Sequence, residues 1–523
     1  MRNIFPGRSL LLVVVAALGY FVDIYDLVLF NVVKRESLES IMGAGHPGIT
    51  DMGIDLFNLQ MLGMLIGGVL WGVWGDKKGR ITVLFGSILL YSAANIANAF
   101  TTDITTYAIV RFIAGIGLAG ELGAGITLIT ETMPREKRGY GTMVVVAFGA
   151  LGAVFANEVY VQGQRIGMLL TDLTGATFMD WQIAYIVGGT MGLVLLVMRV
   201  GAFESGLFTD MKKQDVRKGD FWMLFRDRER FTLYLSCILI GVPVWYVVGV
   251  LVNLSQDVFV PQLHIDTSAL DADGQKHING VAIRYAYIGL SLGDLLSALL
   301  SQLFKSRKKV ILGYLFANLL LTLLFLFGMD GATINTYNWM CLLLGTATGY
   351  WVLFVTVASE QFGTNIRSTV ATTTPNFVRG SVLLITYAFT TLAAPIGDIR
   401  SALVVGLVCI GGAIWATFRV KETFTRDMDF VEGRRTSVLN STRSNSSSFK
   451  PLAWKLSTRK YASSIFAILL LNRGKLEPCS VAFPTSSSPS CPSTAPLRRK
   501  RLLFATSGTA RPSARRVSVV WQA

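Results

Sequence analysis

Charged side chains are scarce in this chain of 523 residues. Asp, Glu, Lys and Arg together make up 15% of the sequence, whereas hydrophobic residues make up 52%. Mean hydropathy is correspondingly high at +0.51. Because a soluble domain is roughly 25% charged, this chain has too little polar surface to cover a core in water. The shortage excludes a disordered chain or a coiled coil over most of the length and favours a membrane protein.

Cysteine and histidine are also rare, and the motifs of several enzyme classes are missing. The five cysteines include no Cys-x-x-Cys pair, and the three histidines fall in predicted outer loops, so neither a disulfide framework nor a metal site is indicated. No Gly-x-x-x-x-Gly-Lys-Ser/Thr loop for ATP is present, and neither His-Glu-x-x-His nor Gly-x-Ser-x-Gly occurs. We therefore expect no enzyme activity, no metal and no cofactor.

Twelve apolar runs are long enough to cross a membrane. Each has about 20 residues, the length needed to span a hydrocarbon core of ~30 Å. Open strands cannot satisfy their backbone in lipid, so the sequence predicts an all-α polytopic membrane protein. The predicted helices cover residues 9–33, 55–74, 81–100, 106–130, 141–161, 182–200, 231–253, 281–304, 310–329, 339–359, 373–394 and 401–419.

Lysine and arginine in the connections predict the orientation of these helices. If the amino terminus is cytoplasmic, the inner connections hold twenty Lys and Arg and the outer ones hold five. Positively charged loops stay on the cytoplasmic side, so we expect both termini there. The predicted location is the plasma membrane, which in a bacterium is the inner membrane.

A polar stretch at 201–230 divides the chain into two halves that repeat each other. We predict an N-terminal six-helix half over residues 1–200, this central cytoplasmic loop, and a C-terminal six-helix half over 231–430. Parallel repeats of this kind occur in transporters whose halves move about a central site. One constant offset in sequence position aligns four pairs of loop residues: Gly72 with Ser301, Arg80 with Lys309, Glu131 with Glu360, and Arg138 with Arg367.

Residues 431–523 differ in composition from the rest of the chain. They hold 16 Lys and Arg against 2 Asp and Glu, whereas residues 1–430 hold 32 against 31. The segment is rich in serine and proline and has no apolar run long enough to span a membrane, so it cannot bury enough surface to fold. We expect a basic, disordered cytoplasmic tail. Of the net charge of +15, +14 belongs to this tail, so the charge gives no reason to expect nucleic acid as a partner.

Two motifs resemble those of a known family. Residues 72–80 read Gly-Val-Trp-Gly-Asp-Lys-Lys-Gly-Arg, and Arg111 in the fourth span begins the glycine-rich run Arg-Phe-Ile-Ala-Gly-Ile-Gly-Leu-Ala-Gly. This pattern resembles the signature of the major facilitator superfamily. The paired Glu and Arg residues after spans four and ten are similar to those of its sugar-porter and metabolite–proton symporter branches. The resemblance implies a fold of twelve helices whose two halves alternate about a central site.

Charged residues at the cytoplasmic ends of the spans are predicted to form an inner gate. Glycine in the second span lets a neighbouring helix approach closely, and opposite charges on the adjoining loops would hold the halves together until they separate. Each exposed pair is worth only about 0–1 kcal/mol, so the gating role depends on the repeat and on the resemblance. The predicted network consists of Gly72, Asp76, Lys77, Gly79, Arg80, Glu131, Arg138, Glu360 and Arg367.

Charges inside the spans are the main candidates for a functional site, because a charge at the bilayer centre costs at least ~2.5–3.5 kcal/mol. Asp23 and Asp26 lie three residues apart on one helix face, and two nearby carboxylates in a low dielectric hold a proton tightly. We hypothesise a proton-coupling site with Arg111 as its counter-charge. Alternatively, Arg111, Arg284 and Arg379 hold an anionic metabolite, since guanidinium matches a carboxylate or phosphate. The predicted coupling and central-cavity residues are Asp23, Asp26, Arg111, Glu121, Asp294 and Arg379.

These observations predict a secondary active transporter that moves a small polar metabolite, a sugar or an organic acid, by proton-coupled symport. Its expected partners are the substrate, protons and the lipid bilayer, and we expect a monomer. Two alternatives stand beside this prediction: an uncoupled facilitator or exporter of the same fold, and a transporter-like nutrient sensor or receptor. A sensor would be marked by a long ordered cytoplasmic domain, which the composition of the tail does not favour.

Overall fold

The computed structural model describes residues 7–123, 125–126, 138–204, 221–363 and 366–424. All of them belong to one compact unit. The predicted tail at 431–523 and most of the predicted central loop at 201–230 lie outside the described residues. Within those residues the secondary structure is helical, apart from one isolated bridge between Asp266 and Thr333. The predicted all-α class is confirmed.

The helices are numbered here in chain order. The first part of the chain contains α1 Gly7–Met42, α2 Ile49–Lys78, α3 Arg80–Asn98, α4 Ile104–Leu118, α5 Arg138–Val161, α6 Gly163–Thr174 and α7 Asp180–Glu204. The second part contains α8 Arg228–Tyr246, α9 Ile278–Phe304, α10 Arg307–Gly328, α11 Ile334–Thr348, α12 Trp351–Gln361, α13 Arg367–Gly380, α14 Val382–Ile396 and α15 Asp398–Arg419. Two π-helical segments, Val247–Val252 and Ser255–Phe259, follow α8.

Eleven helical stretches among the described residues are long and apolar enough to cross a membrane, and Thr82–Asn98 in α3 is a shorter apolar helix. The chain is therefore an integral, multi-pass membrane protein, as the sequence predicts. The count of twelve spans and the cytoplasmic position of both termini stay predictions. One predicted boundary is wrong, because α1 continues to Met42 instead of ending at residue 33. Helix α6, between the fifth and sixth spans, was not predicted.

The starts of the helices reproduce the internal repeat. Helix α2 begins at Ile49 and α9 begins at Ile278, while α4 begins at Ile104 and α11 begins at Ile334. The first pair is separated by the same offset that aligns the loop motifs, and the second pair by one residue more. The two pseudo-repeats that the sequence predicts are therefore visible as equivalent helices.

The two halves meet at two helix pairs. Helix α2 packs along α13, and α5 packs along α9. Glycine allows the first contact, since a Cβ at Gly68 would lie 2.7 Å from the Cβ of Asn376. In the second contact the Ser291 hydroxyl donates to the carbonyl oxygen of Ala147 at 2.7 Å. Lipid supplies no hydrophobic force between helices, so small residues and hydrogen bonds of this kind hold such an interface together.

The tenth predicted span is divided into α11 and α12, with the break at Gly349 and Tyr350. Gly349 lies against Gly293 of α9, where any Cβ would collide with the backbone. A broken helix is tolerated at membrane depth only where protein covers the freed backbone groups. Helix α9 packs over this break.

We expect Gly115→Ala to destabilise the protein. Gly115 of α4 faces the Gln60 carbonyl of α2, and an added Cβ would collide with that oxygen. Overpacking of this kind typically costs ~1–3 kcal/mol, so the thermal unfolding midpoint in detergent should fall by several degrees. Gly313→Ala on α10 is the matched control, because its Cβ enters open space. Equal midpoints for the two variants would contradict close α2–α4 packing as a source of stability.

Candidate functional site

A cavity lies between the two halves. Its walls are mostly aromatic and aliphatic, and they come from helices of both halves. The lining residues are Tyr20 and Ile24 from α1, Val146 and Ala150 from α5, Val244 and Trp245 from α8, Val248 from the π-helical segment after α8, Tyr287 and Leu290 from α9, Trp351 from α12, and Arg379 from α13. Concave, mostly apolar sites between structural units are the usual location of small-molecule binding.

Arg379 is the one charged side chain among the described residues that line the cavity. It is only 1% exposed. Its Nη2 lies 3.8 Å from Oδ2 of Asp23 on α1, and its Nη1 donates to Oδ1 of Asn376 at 3.4 Å. The structure therefore brings two of the predicted residues, Asp23 and Arg379, together across the boundary between the halves.

The Asp23 carboxylate is fully buried, and neither of its oxygens accepts a hydrogen bond within the described part of the chain. The Nε of Arg379 likewise has no acceptor there. Burying a charge is costly unless it is paired and hydrogen-bonded. The Asp23–Arg379 pair is therefore loosely satisfied, and each group keeps hydrogen-bonding capacity for another partner.

Asp26 and Arg111 lie inside the N-terminal half, and neither is among the residues that line the cavity. Arg111 donates to the side chain of Gln60 on α2 and to the Tyr185 hydroxyl on α7, the latter at 3.3 Å. Its guanidinium also lies 4.8 Å from the ring centroid of Phe30, a cation–π distance. Arg111 is close enough to act electrostatically on Asp26, and its role as counter-charge stays a prediction.

Glu121 forms a buried ion pair that sequence reasoning missed. Both nitrogens of the Arg199 guanidinium fork on α7 donate to the carboxylate, with Nη1 at 2.9 Å from Oε2. Gly19 of α1 leaves the space for this pair, because a Cβ there would collide with both side chains. A charge at position 199, inside the predicted sixth span, was the signal that could have revealed it. Glu121 is thus bound to an arginine within one half and is absent from the cavity wall.

Asp294 has a role that its sequence position did not suggest. Its Oδ1 accepts the backbone N–H of Val352 at 2.9 Å, in the first turn of α12. A carboxylate placed there satisfies a helix N–H that has no partner within the helix and complements the helix dipole. The next residue back, Trp351, lines the cavity. Asp294 therefore acts through the position of α12 and does not itself line the cavity.

The predicted inner gate is only partly within the described structure. Glu131 lies outside the described residues, and so do the side chains of Asp76, Arg80 and Arg138. Among the others, Gly72 lies against Thr369 and Thr373 of α13, so it does contact the opposite half. Gly79 joins α2 to α3 with a φ of +98°, a conformation that suits glycine.

The remaining gate residues are Lys77, Glu360 and Arg367. Lys77 is exposed, whereas Glu360 and Arg367 are buried. Glu360 forms an ion pair with Arg307 at the start of α10. This pair lies within the C-terminal half.

Glu422 fixes the chain that follows α15 to the beginning of α10. Its carboxylate accepts from the Ser306 hydroxyl at 2.6 Å and from the backbone N–H groups of Arg307 and Lys308 at 3.1 and 3.3 Å. Partial burial raises the pKa of this carboxyl, but the hydrogen bonds outweigh that effect and leave the pKa below its ordinary value. The carboxylate therefore stays ionised as the helix cap.

A second contact between the halves lies at the far end of α1. Lys34 forms a buried ion pair with Asp257 at 2.8 Å and donates to the Asn253 carbonyl oxygen at 3.1 Å. Lys34 follows Tyr20 by fourteen residues, or ~21 Å of helix. Gly72 and its contacts lie at the opposite end of the interface. The cavity is thus bounded by contacts between the halves on both sides.

Comparison with known proteins identifies the family. The model of the family described as Major Facilitator Superfamily matches residues 16–397. A niacin transporter of Acinetobacter baylyi is 31% identical over 144 residues, which is 27% of this chain and 30% of that protein. A sialic acid transporter of Escherichia coli is 24% identical over 286 residues, covering 53% and 64%. A 4-hydroxybenzoate transporter of Pseudomonas putida is 25% identical over 201 residues, covering 37% and 42%.

The chain spans less than two thirds of the length of each of these relatives. Among solved structures, the proton:xylose symporter XylE bound to 6-bromo-6-deoxy-D-glucose superimposes with a TM-score of 0.59 at 16% identity, covering 80% of this chain and 97% of that one. A likeness at this identity shows the fold alone. The relatives named here are described as transporters, in agreement with the expectation that the chain is not an enzyme.

We expect Arg199→Met to destabilise the protein strongly, because it leaves Glu121 buried without a cation. Breaking a buried ion pair costs ~3–5 kcal/mol, whereas replacing both charges by apolar groups is often neutral. Glu121→Met/Arg199→Met should therefore recover most of the lost stability. The readout is the thermal unfolding midpoint in detergent, with the exposed Arg400→Met as the control. A double variant as unstable as the single one would show that the pair is not the source of the effect.

We expect Asp294→Leu to loosen the start of α12, while Asp294→Asn keeps an oxygen for the Val352 N–H. Loss of a helix cap costs ~0.5–2 kcal/mol, so amide hydrogen exchange should become faster in the first turn of α12 in the Leu variant only. Mass spectrometry of the peptide over residues 350–356 measures this. The exposed Asp330→Leu serves as the control. Unchanged exchange in Asp294→Leu would mean that the carboxylate does not hold α12.

Proposed function

The chain belongs to the major facilitator superfamily, and from that premise we propose that it is a secondary transporter. In this proposal a small metabolite crosses the membrane through the central cavity by alternating access between the two halves. The observation that carries the proposal is the Asp23–Arg379 pair, which joins the halves at the cavity wall at 3.8 Å. Several relatives are named for acids, including sialic acid and 4-hydroxybenzoate, and this supports an anionic substrate for Arg379.

The loosely held pair suggests how a proton and an anion are coupled. In the empty site, Asp23 and Arg379 compensate each other. When a proton binds Asp23, the Arg379 guanidinium is released and can bind the anionic group of the substrate, a strong charge-assisted interaction. The site is neutral when it is empty and neutral when it holds both ligands.

Neutrality matters because the halves carry the site through the membrane interior. With a proton alone or an anion alone, the buried site would carry a net charge, which is costly in a medium of low dielectric. The transition between outward and inward states is therefore favoured for the empty site and for the doubly loaded site. This is the requirement for symport.

We assign a supporting role in coupling to Asp26 and Arg111. Asp26 lies one helical turn from Asp23 and interacts electrostatically with both Asp23 and Arg111. A proton on Asp26 would change the field at Asp23. Asp26 is thus placed to relay or stabilise the proton without contacting the substrate.

The cytoplasmic charge network is proposed as the inner gate. The contact of Gly72 with Thr369 and Thr373 supports closure at that end of the interface. The Lys34–Asp257 pair supports closure at the other end. In an alternating-access cycle these two contacts open at different times, so that the cavity faces one side of the membrane at a time.

The proposal is tested by uptake into proteoliposomes with a panel of radiolabelled organic acids and sugars, with and without an inward proton gradient. For the wild-type chain we expect accumulation that depends on the gradient. Asp23→Asn should abolish gradient-driven accumulation but preserve exchange of substrate across the membrane, because a permanently neutral residue 23 leaves Arg379 free. Arg379→Met should abolish both, while the exposed Asp330→Asn should behave as wild type.

Two results would overturn the proposal. If no compound in the panel accumulates or exchanges although the protein is folded and inserted, the transport function is wrong. If Asp23→Asn keeps gradient-driven accumulation with an unchanged pH dependence, Asp23 is not the coupling residue.

A further inference from the structure

The side chains that line the cavity indicate the shape and polarity of the substrate as well as its charge. Four aromatic side chains from four different helices line the cavity together with aliphatic residues: Tyr20, Trp245, Tyr287 and Trp351. Aromatic rings favour offset-stacked or edge-to-face contact with another ring. The wall therefore suits a flat, apolar molecule better than a hydrated one.

Two buried hydrogen-bond donors of the wall are unsatisfied. In the described part of the chain, neither the Nε of Arg379 nor the indole Nε1 of Trp351 has an acceptor at good hydrogen-bonding geometry, although the two residues are 1% and 4% exposed. The Trp351 side chain also interacts with the Tyr20 hydroxyl, so a ligand oxygen would compete with that hydroxyl for the indole N–H. The closest carboxylate to Arg379, that of Asp23, is 3.8 Å away and beyond hydrogen-bonding distance. Buried donors without partners are costly. A ligand carboxylate, which offers two acceptor oxygens, would satisfy them.

The single positive charge of the cavity wall favours a ligand with a single negative charge. In the part of the chain that the structure describes, Arg379 is the one cation that lines the cavity, and the Asp23 carboxylate competes for it. A doubly charged phosphate would exceed this positive charge and would offer the four rings no apolar surface. Burying an uncompensated charge is costly, so a dianion is disfavoured.

A sugar is disfavoured for a different reason. Among the described residues that line the cavity there is no Asn, Gln, Asp, Glu, Ser or Thr. A hydroxyl-rich ligand would lose its hydration and find few acceptors, and a buried hydroxyl without a hydrogen bond is penalised.

We propose that the central cavity selects an aromatic monocarboxylate, with its ring between the aromatic side chains and its carboxylate on Arg379 and the Trp351 indole N–H. The proposal deepens the transport function and depends on it for the route across the membrane. The binding step can be measured without transport.

The test uses the purified full chain in detergent with benzoate as the probe. The pH is chosen so that Asp23 is protonated in part of the molecules. Binding is followed by equilibrium dialysis of radiolabelled benzoate. Competitors separate the features of the site: benzamide keeps the ring without the charge, cyclohexanecarboxylate keeps the charge without the flat ring, and inorganic phosphate and glucose represent the other substrate classes. We expect each to displace benzoate at least tenfold less effectively than unlabelled benzoate does.

Variants assign the donors. Arg379→Met should weaken benzoate binding at least 100-fold, and Trp351→Phe, which keeps an aromatic ring but removes the N–H, should weaken it about 3- to 10-fold, in line with the loss of one hydrogen bond. Trp339→Phe, an exposed tryptophan away from the cavity, is the matched control and should bind as the wild type does. Arg379→Lys retains the charge, so binding that is partly restored relative to Arg379→Met would exclude misfolding as the cause.

The outcomes distinguish this proposal from the transport function. Benzoate that binds with the expected pattern but does not cross proteoliposome membranes would overturn the transport function and support the binding site. Transport of glucose or phosphate in preference to benzoate would overturn the substrate class and support transport. Equal displacement by benzamide, or wild-type affinity in Arg379→Met, would also overturn the proposed site.

Discussion

The structure depends on one physical constraint, which is that a charge inside a protein surrounded by lipid must be compensated where it lies. Three buried pairs meet this constraint with direct contacts: Glu121 with Arg199, Glu360 with Arg307, and Lys34 with Asp257. The fourth, Asp23 with Arg379, is held at 3.8 Å and is open to the cavity wall. The tight pairs stabilise packing, whereas the loose pair keeps capacity for a proton and a ligand.

The scaffold holds this loose pair in place through packing that tolerates little error. Glycine lets helices of the two halves approach, and the broken tenth span is covered by α9. Asp294 then accepts from the first turn of α12 and so positions Trp351 at the cavity. Asp294 of α9 thus influences the ligand site through the backbone of α12. In this way a polar group buried at membrane depth has a structural function.

The sequence correctly predicted the class, the repeat and the identity of most buried charges, but it did not predict how those charges are paired. Asp23 and Arg379 meet although they belong to different halves of the chain, and Glu121 meets Arg199, a residue absent from the prediction. Asp26 and Arg111 lie together inside one half, and Asp294 caps a helix. Pairing depends on the rotation and depth of each helix, and hydropathy does not contain that information.

The sequence alone determined those features that depend on the average composition of short segments of the chain. Apolar length predicts spans, the distribution of Lys and Arg predicts orientation, and a constant offset between the halves predicts equivalent helices. Only the tertiary structure decided which charges touch, where α11 gives way to α12, and that aromatic rings from both halves enclose a cavity with one arginine. The reason is that ion pairs, caps and cavities depend on distances of a few ångströms between segments far apart in the chain, and these distances are established only when the helices pack.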